Sequence, residues 1–334
     1  MGPVRRLVVP SQHWIGSAML LLRTVSAELA VLALVVGAVA VVTTLRPGRD
    51  ANAEPLAVAA PELAVAPAPP TGSVTFARES GALAVALAVR PVEPLRLVAT
   101  IIGPSGRGVD GLDVDLRAAS HGRKASSPTR PCGHGCYAAS LRVSQPSVFE
   151  VEIGSTGTVA FPVGGAWPPP PGTAFLRRAT SAFSRLRSAV YLEHLASRPG
   201  NAIETIWRVQ APNRLAYEIR GGAGGIVIDG TRWDRPVPGA EWRRSATTPL
   251  EQPFPPWGMR AVDVRVLRDT ASRVTLSWLD PGVPAWFTGT FDRTTALPRE
   301  LRMTASAHFM RHRYIAFNRS VEIEPPVRRQ RMEP

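Results

Sequence analysis

Near its C-terminal end the chain reads SAHFMRHRYIAF, residues 306–317, which sets His308, Met310 and His312 at two-residue spacing. In an extended strand alternate side chains share a face, so two imidazoles and a thioether would stand together, with Tyr314 next in line. Imidazole plus thioether is a donor set that copper accepts. The plainer alternative puts Met310 in a core and a histidine at the sheet margin, and buried imidazoles would then need partners. A second group lies in TRPCGHGCYAAS, residues 129–140, which holds the only two cysteines among 334 residues. Cys132 and Cys136 bracket Gly133-His134-Gly135. Two thiolates with His134 would suit Cu(I) or zinc, although a complete zinc site wants four ligands and no fourth is near. The same cysteines flanking a glycine turn come within disulfide reach. Outside the cytoplasm they would oxidise, so the compartment favours a disulfide.

A third group is aromatic. Trp207, Tyr217, Trp233, Trp278 and Trp286 crowd the second half of the chain. Each can be an ordinary core residue; together they could line an apolar cavity for an acyl chain. RGGAGGIVIDG tempts a nucleotide-loop reading, but its glycines run straight into the strand-like Ile226-Val227-Ile228 rather than a helix, so they read as a hairpin loop. Catalysis finds no motif: there is no G-x-S-x-G elbow and no H-E-x-x-H. Asp113 and Asp115 share one strand face and read as its solvated side. No catalytic residue is assigned and an enzyme is not expected.

The elements that must position these groups can be read from periodicity. Residues 24–45, TVSAELAVLALVVGAVAVVTTL, are apolar apart from Glu28 and long enough to cross a bilayer as a helix. Arg5, Arg6 and Arg23 before it, against Arg46 and Arg49 after it, favour a cytoplasmic N-terminus over residues 1–23. ANA at 51–53 leaves a cleaved signal peptide as the rival, though RPGRD makes its cleavage region long and charged. Either way the later residues stand outside the cytoplasm. Residues 46–72 are an Ala/Pro-rich linker. Residues 73–164 alternate in short runs separated by turns, which predicts a β-sandwich. WPPPPG makes 165–172 a stiff joint. From Thr173 a helical stripe of Leu176, Ala179, Phe183, Leu186 and Val190 precedes further alternating runs, and that pattern predicts a helix on an antiparallel sheet over 173–326. Residues 327–334 form a basic tail. The expected class is α+β multidomain: one transmembrane helix, an Ig-like antiparallel sandwich, and a curved sheet packed on an N-terminal helix.

The formal net charge of +13 comes almost wholly from arginine, with Lys124 the single lysine. These arginines are spread along the chain and interleaved with acids, unlike the concentrated stripe of a nucleic-acid footprint. No nucleic-acid partner is expected.

Parts of the chain resemble known families. RRLVVP followed by LLRTVSAELAVLALVVGAVAVVTTLRPG is similar to the last transmembrane helix of the bacterial copper resistance protein D family, through Arg23, Glu28 and the Pro47-Gly48 exit. The sandwich stretch GALAVALAVRPVEPLRLVATIIGPSGRGVDGLDVDLRA with CGHGCYAASL resembles the small extracytoplasmic β-domains accompanying those proteins. WRVQAPNRLAYEI and GGIVIDGTRWDRP make residues 173–326 similar to the lipoprotein-carrier (LolA-like) fold. The resemblance implies a copper context and a possible copper cofactor, without the multi-helix transport path or the free N-terminal histidine of periplasmic copper carriers. The expectation is a single-pass cell-membrane protein, non-catalytic, with His308, Met310, His312 and His134 as copper candidates. The alternatives are a lipid or lipoprotein carrier or sensor using an apolar cavity, and an interaction module for a membrane-protein partner.

Overall fold

Alternation of large and small apolar side chains builds the first two sheets. Nine strands come in chain order: β1 (Val74–Ser80), β2 (Leu83–Arg90), β3 (Leu95–Ile102), β4 (Val114–Ser120), β5 (Arg123–Pro128), β6 (Arg130–Gly133), β7 (Cys136–Leu141), β8 (Val148–Ile153) and β9 (Gly157–Pro162). They form a five-stranded sheet, β1-β2-β3-β7-β6, and a four-stranded sheet, β5-β4-β8-β9. One core lies between them: Phe76, Leu87 and Leu97 from the first sheet meet Leu116, Phe149 and Phe161 from the second. This computed structural model describes residues 67–120, 122–198, 202–282 and 284–326.

The strand β2, LAVALAVR, is buried along nearly its whole length because both of its faces are covered. Val85, Leu87 and Val89 enter the sandwich core, while Ala86 packs with Leu279 and Trp286 from the third sheet. Ala84 and Ile102 likewise meet Ala196 and Phe309. Small residues on this outer face let a second layer approach, and Trp286 fills the space left.

That layer is an eleven-stranded antiparallel sheet. It comprises β10 (Ser188–Ala196), β11 (Ile203–Gln210), β12 (Arg214–Ile219), β13 (Gly224–Ile228), β14 (Thr231–Arg235), β15 (Arg243–Ala246), β16 (Val262–Asp269), β17 (Arg273–Asp280), β18 (Ala285–Asp292), β19 (Pro298–Ala305) and β20 (His308–Phe317). Its order is β15-β14-β13-β12-β11-β10-β20-β19-β18-β17-β16. Two hairpin ladders are thus joined where the first strand pairs with the last. The helix α1 (Thr173–Ser184) adds Leu176, Ala179 and Phe183 to a core otherwise made by strand and loop residues such as Val264, Leu276, Trp278, Phe291 and Trp257. The Pro-rich joint runs along the edge strand β16: the Gly172 N–H donates to the Val264 carbonyl and the Val266 N–H to that of Pro170, each at 2.9 Å. An otherwise open sheet edge is thereby satisfied.

The expected α+β class is corrected. The described residues are 55% strand and 7% helical, and they make three sheets with one α-helix. The helical stripe read through Leu186 and Val190 stops at Ser184; Val190 belongs to β10, whose Ser188–Ala196 run takes up the period-two pattern. A twelve-residue helix is a minor element beside eleven strands, so the molecule is a β protein rather than a sheet balanced by a helical layer. The expected membrane helix at 24–45 lies outside the described residues, as do residues 1–23, the linker up to 66 and the tail at 327–334. Among the described residues no helix is long and apolar enough to cross a membrane.

Candidate functional site

Where β10 and β20 meet, the sheet carries a polar pair inside an apolar face. Glu193 stands opposite His312 in the register, with relative exposures of 9% and 6%. Glu193 Oε1 lies 2.8 Å from His312 Nε2. The other oxygen, Oε2, accepts a hydrogen bond from Trp207 Nε1 at 2.9 Å. Strands flanking β10 on each side therefore satisfy both carboxylate oxygens, as buried polar groups require. Burial opposes charge on Glu193, but the His312 and Trp207 hydrogen bonds and the His312 charge outweigh it and hold the carboxyl below the usual range. His312 Nδ1, also buried, has no protein partner.

Aromatic rings surround the pair. Tyr191 lies 4.8 Å from the His312 ring and 5.3 Å from Tyr314. It stacks on Trp207 at 6.1 Å, and Trp207 meets Tyr217 at 5.1 Å. The result is a cross-strand aromatic row over β20, β10, β11 and β12, each ring paired with its neighbour by register. On β13 the row meets Gly225, and a Cβ there would stand 2.3 Å from Tyr217 Cε1. Glycine is required for the ring to lie over that strand. Beyond it, Arg232 clasps Asp234 through two hydrogen bonds, at 2.7 and 2.8 Å. Desolvation pushes Tyr191 and Tyr314 well above the ordinary phenol range, so both rings are neutral.

A cavity of about 20 Å³ opens beside His312, walled by Phe183, Tyr191, Trp257 and Tyr314 and capped by Gln252, Phe254 and Pro256. The capping segment is tied down by the Gln252 N–H donating to Pro212 O and by Trp278 Nε1 donating to Trp257 O, both at 2.8 Å.

The structure separates the groups that the sequence placed together. His308, Met310 and His312 do share a face of β20, yet their settings differ. His312 is engaged with Glu193, Met310 packs against the sheet core, and burial lowers the pKa of His308. Among the described residues no three His, Cys, Asp or Glu side chains converge as a metal-holding group. Cys132 and Cys136 are joined as a disulfide, with Cα atoms 5.0 Å apart, so neither sulfur is a thiolate ligand. His134 tips that turn in the open, 3.5 Å from Asp110.

Nor do the five aromatic candidates line one cavity. Trp207, Tyr217 and Trp278 point to the face that carries the helix, Trp278 being wholly buried in its core. Trp286 points the other way, into the seam with the sandwich. Trp233 pairs with Ile226 and also lies on that opposite face, one residue out of phase with Asp234, which continues the Tyr217 row.

No protein-family model matches the chain, and no curated protein matches it. Nothing in these comparisons identifies the copper resistance or lipoprotein-carrier families that parts of the sequence resemble. The site must therefore speak through its own chemistry. The sequence reading passes over its decisive residue, Glu193, because the helical stripe carried through Val190 overlaps the start of its strand; the alternation Tyr191, Glu193, Leu195 in SAVYLEHLA is the signal that places a carboxylate among apolar neighbours.

Proposed function

We propose that the protein is a non-catalytic carrier or sensor of a lipid-like amphiphile, held on the helix-bearing face of the eleven-stranded sheet and tethered to the membrane by residues 24–45. The observation that carries this reading is the half-buried aromatic row Tyr314, Tyr191, Trp207 and Tyr217, which runs from open sheet to a small cavity with a polar floor. Ligand sites are characteristically apolar walls with a few placed polar groups. The disulfide supports an oxidising compartment for the folded part. The copper reading draws less support, because His312 Nε2 is taken by Glu193 and Met310 is packed against the core.

A photoactivatable fatty-acid probe applied to membranes carrying the full chain tests this. Adducts mapped by mass spectrometry should fall on β11, β12 and the capping segment around Phe254. Adducts confined to residues 24–45 would mean that the sheet takes no acyl ligand, and the reading would be abandoned.

A further inference from the structure

We propose that His312 Nδ1 reads the head group of the bound amphiphile and selects a hydrogen-bond donor, an alcohol or a primary amine, over a carboxylate. The proposal rests on the amphiphile reading above and deepens it by naming the ligand's head. Three observations carry it. First, His312 is 6% exposed and lines the cavity, yet its buried Nδ1 has no partner. Leaving a buried polar atom unsatisfied is costly, and such an atom in a folded protein calls for a partner from outside the chain. Second, the ring's orientation is fixed from behind. Glu193 Oε1 sits 2.8 Å from Nε2, and an ionised carboxylate only accepts, so Nε2 carries the proton. In the neutral ring Nδ1 then presents a lone pair. A carboxylate that holds the far nitrogen and so sets the tautomer of the near one is a recurrent way of preparing a histidine for recognition. Third, the space matches a head and not a whole ligand. About 20 Å³ holds one water-sized group such as a hydroxyl or an ammonium. The aromatic walls add a preference, because ring faces attract a cation.

The apolar remainder of the ligand has a path, because Tyr191 belongs both to the cavity wall and to the aromatic row. The head would pass beneath Phe254 and Pro256, while the tail lies along Trp207 and Tyr217.

The test is competition. Full-chain protein in membranes is labelled with the photoactivatable acyl probe in the presence of hexylamine, 1-hexanol or hexanoate, and the loss of sheet adducts is measured. The expected result is that hexylamine or 1-hexanol displaces the adduct at a concentration about tenfold below hexanoate, the ratio an ordinary hydrogen bond can supply. In His312→Phe the outline of the ring is kept but nothing accepts at the Nδ1 position, and the preference should fall to nearly equal potency. Hexanoate as the best competitor would overturn the proposal while leaving the amphiphile reading intact. So would adducts that none of the three displaces, or a preference unchanged in His312→Phe. Absence of sheet adducts before any competitor is added would instead sink the amphiphile reading beneath it. Should the His312→Phe chain fail to fold, the wild-type ranking of the three competitors decides by itself.

Discussion

Two histidine–carboxylate pairs in this protein have nearly the same parts and opposite settings. His134 and Asp110 sit at a turn with side chains 60% and 62% exposed and 3.5 Å between Nδ1 and Oδ2. His312 and Glu193 sit in the middle of a sheet, almost wholly buried, at 2.8 Å. Water screens the first pair and competes for every one of its hydrogen bonds, so it adds little stability and gains no selectivity. Burial cuts the second pair off from bulk water. Each of its polar atoms must find a partner in the protein, and the one that does not, His312 Nδ1, becomes informative. Burial, rather than residue type, is what separates a surface pair from a recognition group.

The hardest test of this comparison is to remove a buried partner. Glu193→Ala strands His312 Nε2 and Trp207 Nε1 together, and we expect a loss of about 3–5 kcal/mol, the range for breaking a buried pair, in chemical denaturation. A loss under about 1 kcal/mol would make the buried pair no different from a surface one. The pH dependence gives a second reading. The Glu193 carboxyl titrates below the usual glutamate range when folded, so its contribution is fully present at neutral pH. As pH falls below the unfolded value of about 4.3 the unfolded chain takes up the proton first, and the contribution is lost progressively on the way to the folded pKa. Asp292, held to about 2 by the Thr295 amide and Arg299, supplies a separate loss at lower pH. The Glu193 part is therefore the difference between wild type and Glu193→Gln, whose melting temperature should vary less between neutral and acid pH.

Much of the strand content was legible and the buried pair was not, for one physical reason. Half-covered strands advertise themselves by alternation, as β8 and β11 do. The strand β2 reads as continuously apolar because both its faces are packed, a sign that a second layer must cover it. By contrast β5, RKASSP, has no buried residue and no apolar period, so nothing in its composition marks it. Val321 and Ile323 alternate like a strand, yet that segment has no ladder; Ile323 is buried singly, with its carbonyl accepting from Arg214 Nη1. The partner of His312 lies 119 residues away on a strand that pairs first with last. Local pattern placed His312 on the correct face of its strand, but only the closing of the sheet could bring Glu193 to it.

The turn that carries the exposed pair should be held by covalent and backbone contacts instead of charge. Replacing both cysteines, as Cys132→Ser with Cys136→Ser, frees a closed loop of separation 4. The entropy of so short a loop corresponds to about 2 kcal/mol, which we expect as the shift in unfolding free energy. Cys136 is buried at the start of β7 and Cys132 is exposed, so the loss should come from the freed chain more than from packing. An unchanged stability would show that the hairpin register alone keeps the turn closed.

The smallest effect should come from Asp110 itself. Asp110→Ala removes the approach to His134 and one hydrogen bond, from the Gly135 N–H to Oδ1 at 2.6 Å. The loop around it has other anchors. The Tyr137 hydroxyl donates to Val109 O at 2.7 Å and accepts from the Leu112 N–H at 3.0 Å. The Ile101 N–H donates to Gly135 O, and the Val109 N–H to Ile101 O. Gly135 lies so close to Gly108 that a Cβ would stand 2.6 Å from the Gly108 Cα, which shows how tightly the two backbone segments are already pressed together. We therefore expect Asp110→Ala to cost under about 1 kcal/mol, measured by denaturation beside Glu193→Ala, and to shrink further with added salt. A cost equal to that of Glu193→Ala would mean that exposure does not decide what a histidine–carboxylate pair is worth here, and the contrast between the two sites would fail.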